Sequence, residues 1–411
     1  MTLDDVIKAN KGRGPGFHFL RHVLALLIFT YHGSIAIFGA HTNDYAGKGM
    51  LLVQEAARGL STTQVIMEVI RPTLYARVGM FFALSGFLVA ASALRNSDAK
   101  AFFINRVVRI IPALSVAIVF SAMILGPLVT TLPLEEYFSD PVTYRYFGNI
   151  IGFLHLTLPG VFTDNPWPGI VNVNLWTLPP EFWCYFAVLG LMVSGLLSKH
   201  KLLTSGIILA LLIATALDIF DHRSFTVKAN NTRFTLWYVI MMFYIGMLFR
   251  LNAKYIIMNF WIALGAAVGF YLLMLSDSFG PLSGLLLTYI AIYIGMMMSV
   301  PVFDRFLKED LSYGIYLYGF PLTQAAIFIL KPYMGSLPLW ERYAIIMVAS
   351  FGVTLIFAIL SRTFIEKPAA RLLKGGQKKP LVLPAGLNLP ANVSEGIPST
   401  GADTNALRSS E

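Results

Sequence analysis

The sequence predicts an all-α, polytopic integral membrane protein with about ten transmembrane helices and both termini on the cytoplasmic side. Three observations predict this class. Hydrophobic residues make up 56% of the chain and charged residues only 13%, whereas a soluble domain carries about 25% charged residues. Apolar runs long enough to cross a bilayer recur along the whole length. Lys and Arg gather in alternate connections between those runs, as the positive-inside rule requires.

A span needs about 17–25 mostly apolar residues. Such runs lie at 17–39, 75–94, 107–129, 178–198, 202–219, 235–250, 257–275, 282–299, 311–330 and 342–365. The first lacks a small-residue cleavage site after a short apolar core, so it reads as a span and not as a removed signal peptide. Residues 147–160 are apolar but short and interrupted by Gly152 and Pro159, which suits a re-entrant or interfacial segment better than an eleventh span. With the N-terminus inside, about two thirds of the 31 Lys and Arg fall on the cytoplasmic side. An eleventh span would move Lys199 and Lys201 outside and spoil that pattern.

The chain divides into a cytoplasmic N-terminal segment (1–16), a membrane core (17–370) and a tail (371–411). From Gly375 onward the tail has Pro380, Pro384, Pro390 and Pro398, many small polar residues and no helical period, which predicts disorder. The longest outer connections are 40–74 and 130–177, and connections of that length are usually functional or disordered. One cysteine, Cys184, excludes an internal disulfide, a cysteine-based zinc site and an iron–sulfur cluster. The net charge of +9 fits cytoplasmic loops better than a nucleic-acid partner. No Walker loop and no G-x-G-x-x-G before a helix is present, which argues against a nucleotide-driven pump.

Ionisable residues inside the spans carry the functional signal. Arg21 and His32 are eleven positions apart in the first span. At 100° per residue that is three turns plus about 20°, so both project from one helix face about 16 Å apart, with His32 in the outer half. A histidine buried there and neutral can accept a proton; the plainer reading has Arg21 snorkelling to headgroups and His32 bonding between helices. Arg106 and Arg109 share a face at the cytoplasmic start of the third span. Paired guanidiniums suit bidentate capture of phosphates, and equally obey the positive-inside rule. Glu181 opens the fourth span at about the depth of His32. It is suited to orient a histidine or to bond a sugar hydroxyl, or else to complement the helix dipole after Pro179 and Pro180. His18 and His22 share a face, but no carboxylate at a useful spacing completes a metal site. His41, His155, His200 and His222 read as structural.

These stretches resemble the acyltransferase-3 family of membrane acyltransferases. FLRHVLALLIFTYH, at 19–32, is similar to its first helix, with Arg-x10-His as the signature. FFALSGFLV at 81–89, INRVVRIIP at 104–112, LWTLPPEFWCY at 175–185, SYGIYLYGFP at 312–321 and SRTFIEKP at 361–368 resemble further family motifs in family order. At three places the chain departs from the pattern: Asn105 stands where the arginine-rich motif begins with arginine, Gly319 where many members have histidine, and Pro179–Pro180 where Ser–Val is commoner.

The resemblance implies a bacterial inner-membrane enzyme that moves an acyl group, commonly acetyl, from cytosolic acyl-CoA to a hydroxyl of a surface or secreted carbohydrate or lipid-linked glycan. Acyl-CoA is then a donor substrate, with no permanently bound cofactor. Arg106 and Arg109 would hold the coenzyme's phosphates and Arg21 would guide the pantetheine arm or take a phosphate. His32 would act as general base or acyl carrier, and Glu181 would orient it or the sugar. Trp176 would stack on a sugar face. A transporter or flippase of a glycan or lipid-linked intermediate explains the spans and the intramembrane charge equally well. It leaves unexplained a basic cluster aligned with a deeper histidine.

Overall fold

The computed structural model describes residues 1–38, 62–95, 98–222, 236–275, 281–306 and 309–376, and among these it is helical with no strand. The expectations for 40–61, for His41 and for the tail beyond Gly376 lie outside the described residues. The main helices are α1 (Leu3–Ala9), α2 (Phe17–Phe38), α3 (Thr62–Arg95), α4 (Ala99–Val129), α5 (Leu178–Val193) and α6 (Lys201–His222). They continue with α7 (Leu236–Leu251), α8 (Phe260–Leu275), α9 (Pro281–Met297), α10 (Ser312–Leu330), α11 (Leu339–Ser361) and α12 (Lys367–Gly376).

A helix occupies each of the ten apolar ranges read from the sequence. Five described helices are long and apolar enough to cross a membrane by themselves: Phe17–Phe38, Ala76–Arg95, Ala99–Val129, Ser312–Tyr333 and Leu339–Leu372. The protein is a helical membrane protein. Four further stretches, Lys201–Ile213, Tyr238–Leu251, Phe260–Leu275 and Pro281–Met297, are apolar but shorter. At 1.5 Å per residue a helix of about 16 residues falls short of a hydrocarbon core near 30 Å.

Local chemistry sets the helix ends. Thr2 and Asp5 form a capping box at α1, with the Asp5 amide donating to Thr2 Oγ1 at 3.2 Å and the Thr2 amide donating to Asp5 at 2.9 Å. Asp98 caps α4 by accepting from the amides of Lys100 and Ala101 at 2.8 and 3.2 Å. Within α4, residues Phe120–Leu125 widen into a π-helical turn, and buried Tyr137 donates its hydroxyl to the Ala122 carbonyl there at 2.7 Å.

Packing depends on close backbone approach, as expected where lipid offers no hydrophobic gain for helix association. A Cβ at Gly86 of α3 would lie 1.9 Å from the Phe243 carbonyl of α7, and one at Gly246 of α7 would lie 2.1 Å from the Ala83 carbonyl of α3. Helices α2 and α10 run side by side in one direction: Leu311 sits at His22 and Phe320 at His32. Helix α11 runs against them, with Ala358 on Gly314 and Met347 on Gly33.

The connection between α4 and α5 holds the largest departure from the sequence reading. Residues 147–160 form a short turn (Tyr146–Ile151) and a loop with Ile151 71% and Phe153 67% exposed. Their apolar side chains suit an interface. The following stretch, 164–177, goes deep instead, lying along α10 from its end at Lys331 down to Tyr316. Fifteen residues of helix make that path about 22 Å long.

Polar side chains hold this segment, a loop that ends in a 3₁₀ turn over Val173–Thr177, where its backbone would otherwise lack partners. Asn165 donates to the Gln324 carbonyl at 2.9 Å, and Gln324 Nε2 donates to the carbonyls of Trp167 and Ile170 at 2.8 and 2.9 Å. Asn172 and Asn174 donate to the Leu317 and Tyr316 carbonyls at 2.9 and 2.7 Å.

Candidate active site

A cavity of about 490 Å³ opens among α2, α3, α4, α5, α10 and the start of α12. Arg21, Arg106, Arg109 and Glu181 all line it, so four of the residues singled out in sequence meet at one place. They come from three helices, each positioned by its own register. Arg21 and Ile28 lie on one face of α2, seven residues apart. Arg106 and Arg109 lie one turn apart on α4, and Glu181 lies in the first turn of α5.

Arg21 is bound by a residue the sequence reading did not single out. Its Nη1 lies 3.0 Å from Asp310 Oδ2, while Asp310 Oδ1 accepts from the Ser312 hydroxyl at 2.5 Å and the Ser312 amide at 3.2 Å. Burial alone would raise the Asp310 carboxyl. The Arg21 charge, the Ser312 hydroxyl and the Arg109 charge outweigh it and hold that carboxyl below the ordinary value of 3.8. The only sequence signal was an acid just before the late-helix motif. Arg362 also lines the cavity, tied to Glu309 at 3.2 Å and Glu366 at 3.3 Å.

The Arg106 guanidinium stands 5.6 Å from the Phe102 ring centre and 6.0 Å from that of Tyr185. Its buried Nε has no hydrogen-bond partner among the described residues. Glu181 accepts a hydrogen bond from Tyr185, one turn along α5, and Arg109 and Arg106 lie within electrostatic reach. The sequence put Glu181 at the depth of His32; the structure seats it with the arginines. The reason is the inserted segment, which carries the chain inward before α5 begins at Leu178.

His32 does not line the cavity. It is half-buried, with Nδ1 unpartnered among the described residues, and its ring packs edge-on to Phe320 at 6.2 Å. Its polar neighbours include Arg77 and Asn174. Arg77 is only 3% exposed; its Nη1 donates to the Leu27 carbonyl at 2.7 Å and its guanidinium lies 3.9 Å over the Tyr31 ring. Nothing in one-dimensional spacing tied Arg77, in the third helix, to His32 in the second.

Trp176 is half-buried and packs against the main core, away from the cavity lining. His22 uses both ring nitrogens: Nδ1 donates to the His18 carbonyl at 2.9 Å and Nε2 accepts from the Leu311 amide at 3.1 Å. Those two bonds demand the neutral ring and give His22 a structural task.

A family model described as an acyltransferase domain matches residues 15–359. The chain belongs to the acyltransferase-3 family. It is therefore an acyltransferase. It is similar to the O-acetyl transferase of Shigella phage Sf6, 26% identical over 298 residues, covering 70% of this chain and 82% of that protein. It is also similar to nodulation protein 10 of Rhizobium leguminosarum bv. viciae, 27% identical over 316 residues, covering 72% of this chain and 82% of that protein. No solved structure matches the chain. In this member of the acyltransferase-3 family, a side chain at Gly319 would meet Phe29, since a Cβ there would lie 2.9 Å from that ring.

Proposed function

We propose that the protein is a membrane O-acyltransferase that moves an acyl group, acetyl in the first instance, from cytosolic acyl-CoA to a carbohydrate hydroxyl at the outer face of a bacterial inner membrane. The observation that carries this reading is the run of Arg21, Arg106 and Arg109 along one cavity whose α2 wall leads toward His32. Guanidinium groups bind phosphate oxygens through charge-assisted, bidentate hydrogen bonds. The family assignment and the name of the phage relative support acyl transfer to oxygen.

In this mechanism Arg106 and Arg109 hold the coenzyme's phosphates, and Arg21 exchanges Asp310 for a phosphate or for the pantetheine arm. His32 takes the proton of the acceptor hydroxyl. The hydroxyl oxygen attacks the thioester carbonyl, the C–O ester bond forms, the C–S bond breaks, and the proton passes from His32 to the departing thiolate. Glu181, bonded to Tyr185, balances the arginine charge when the donor is absent. The acceptor is a surface or secreted glycan or a lipid-linked precursor. In this reading the chain crosses the membrane ten times with both ends inside, so that the donor enters at the arginine end and the acceptor at the His32 end.

The test is mass spectrometry of envelope and secreted glycans from cells with the intact gene, without it, and with His32→Ala. A base-labile acyl mass present only with the intact gene is expected. Identical glycans in all three strains, together with no release of free coenzyme A, would reject the enzyme and favour transport.

A further inference from the structure

The cavity stops one turn short of His32. Ile28 is the deepest residue of α2 among its lining, and His32 lies four residues on, about 6 Å farther along nearly the same face. On the parallel helix α10 the corresponding step runs from Tyr316, which lines the cavity, to Phe320, which packs on His32. A hydrogen-bonded cluster fills that last turn.

Tyr316 and Thr177 line the cavity end, and their hydroxyls are bonded to each other. The Tyr316 hydroxyl also donates to the Asn174 carbonyl, and Asn174 Nδ2 donates back to the Tyr316 carbonyl at 2.7 Å. Tyr316 is therefore joined to the inserted segment through both its side chain and its backbone. Asn174 in turn neighbours His32, and its buried Oδ1 is unpartnered among the described residues. The cluster separates the arginine-lined space from the histidine.

We propose that Tyr316, latched by Thr177 and Asn174, is the gate through which the acyl group passes to His32, and that it restricts the enzyme to short acyl chains. The inference rests on the donor orientation given under Proposed function. A thioester carbonyl must come within about 3–3.5 Å of the attacking oxygen. With the phosphates at the arginines, the acyl chain is the leading end of the donor and must enter the turn that Tyr316 closes. A two-carbon group needs a small displacement of the ring. Each further methylene has to find room among Tyr316, Phe320 and the segment at Asn174.

The experiment uses membranes containing the full chain, supplied in turn with acetyl-, butyryl- and octanoyl-CoA. Thiol release and base-labile acyl groups in the glycan fraction are measured for the wild type, Tyr316→Ala, Tyr316→Phe and Thr177→Val. Wild type is expected to prefer acetyl-CoA. Tyr316→Ala should raise the octanoyl-to-acetyl ratio by about tenfold or more, the discrimination a pocket wall typically exerts over added methylenes. Tyr316→Phe and Thr177→Val nearly conserve volume while removing latch bonds, so they keep the test alive if the alanine variant fails to accumulate. Each should raise the butyryl-to-acetyl ratio. Wild type using acetyl- and octanoyl-CoA equally, or ratios unchanged in variants that still use acetyl-CoA, would overturn the gate alone. Release of no coenzyme A by wild type would overturn the proposed function and the gate with it.

Discussion

Arg21 and Asp310 face each other across 3.0 Å at the wall of the cavity, one from the first long helix and the other from just before the helix that starts at Ser312. Their side chains are 22% and 27% exposed, so the pair sits between the surface and buried limits. Removing one partner leaves the other charge partly desolvated, at a cost of about 1–3 kcal/mol. Asp310→Asn is therefore expected to lower the unfolding midpoint in detergent, and added coenzyme A should raise the midpoint more in the variant than in wild type. An unchanged midpoint would show that the pair contributes nothing to the fold.

The same pair has a defined pH window. The folded carboxyl of Asp310 is held below its ordinary value of 3.8, so its contribution to stability is present above that value and is lost as pH falls through the folded value. Thermal stability should thus show no Asp310-dependent change between about pH 6 and 8. The gap between wild type and Asp310→Asn should narrow only in strong acid.

Arg106 contributes through charge-assisted contacts to the donor if the phosphates bind at the cavity. Loss of such a contact is worth about 1.5–3 kcal/mol, or about 10–150-fold in apparent affinity. Arg106→Ala should raise the acyl-CoA concentration for half-maximal rate by that range. A titration that superimposes on wild type would remove Arg106 from the donor site.

Gly86 and Gly246 tolerate no side chain, since a Cβ at either would fall 1.9 or 2.1 Å from a backbone carbonyl of the facing helix. Backbone cannot swing aside as a flexible side chain does. Gly86→Ala and Gly246→Ala should each destabilise by about 1–3 kcal/mol or more and reduce accumulation in membranes. Gly190→Ala is the control, because nothing lies within 4 Å of a Cβ there.

Gln324 supports the inserted segment through the Trp167 and Ile170 carbonyls. Gln324→Leu keeps much of the volume and leaves these carbonyls without that donor, costing about 1–3 kcal/mol each if they stay buried. Faster hydrogen exchange over 164–177 is expected, with little change in α3 and α7. Unaltered exchange there would show that the asparagine bonds suffice.

The sequence by itself determined where the helices lie and which side chains carry charge inside them. Hydropathy has a long reach along one helix, so ten helical ranges were legible from spacing. Arg106, Arg109 and Arg21 were legible for the same reason: a charge in an apolar run stands out whatever its partners are. The pairing of those charges was decided only in three dimensions. Asp310, Arg77 and Tyr316 look ordinary along the chain, and each acquires its place from a helix or segment distant in sequence. The descent of 164–177 was hidden because its retention depends on hydrogen bonds to α10, and no periodicity records those. That descent moves Glu181 inward to the arginines and sets Tyr316, Thr177 and Asn174 between the cavity and His32.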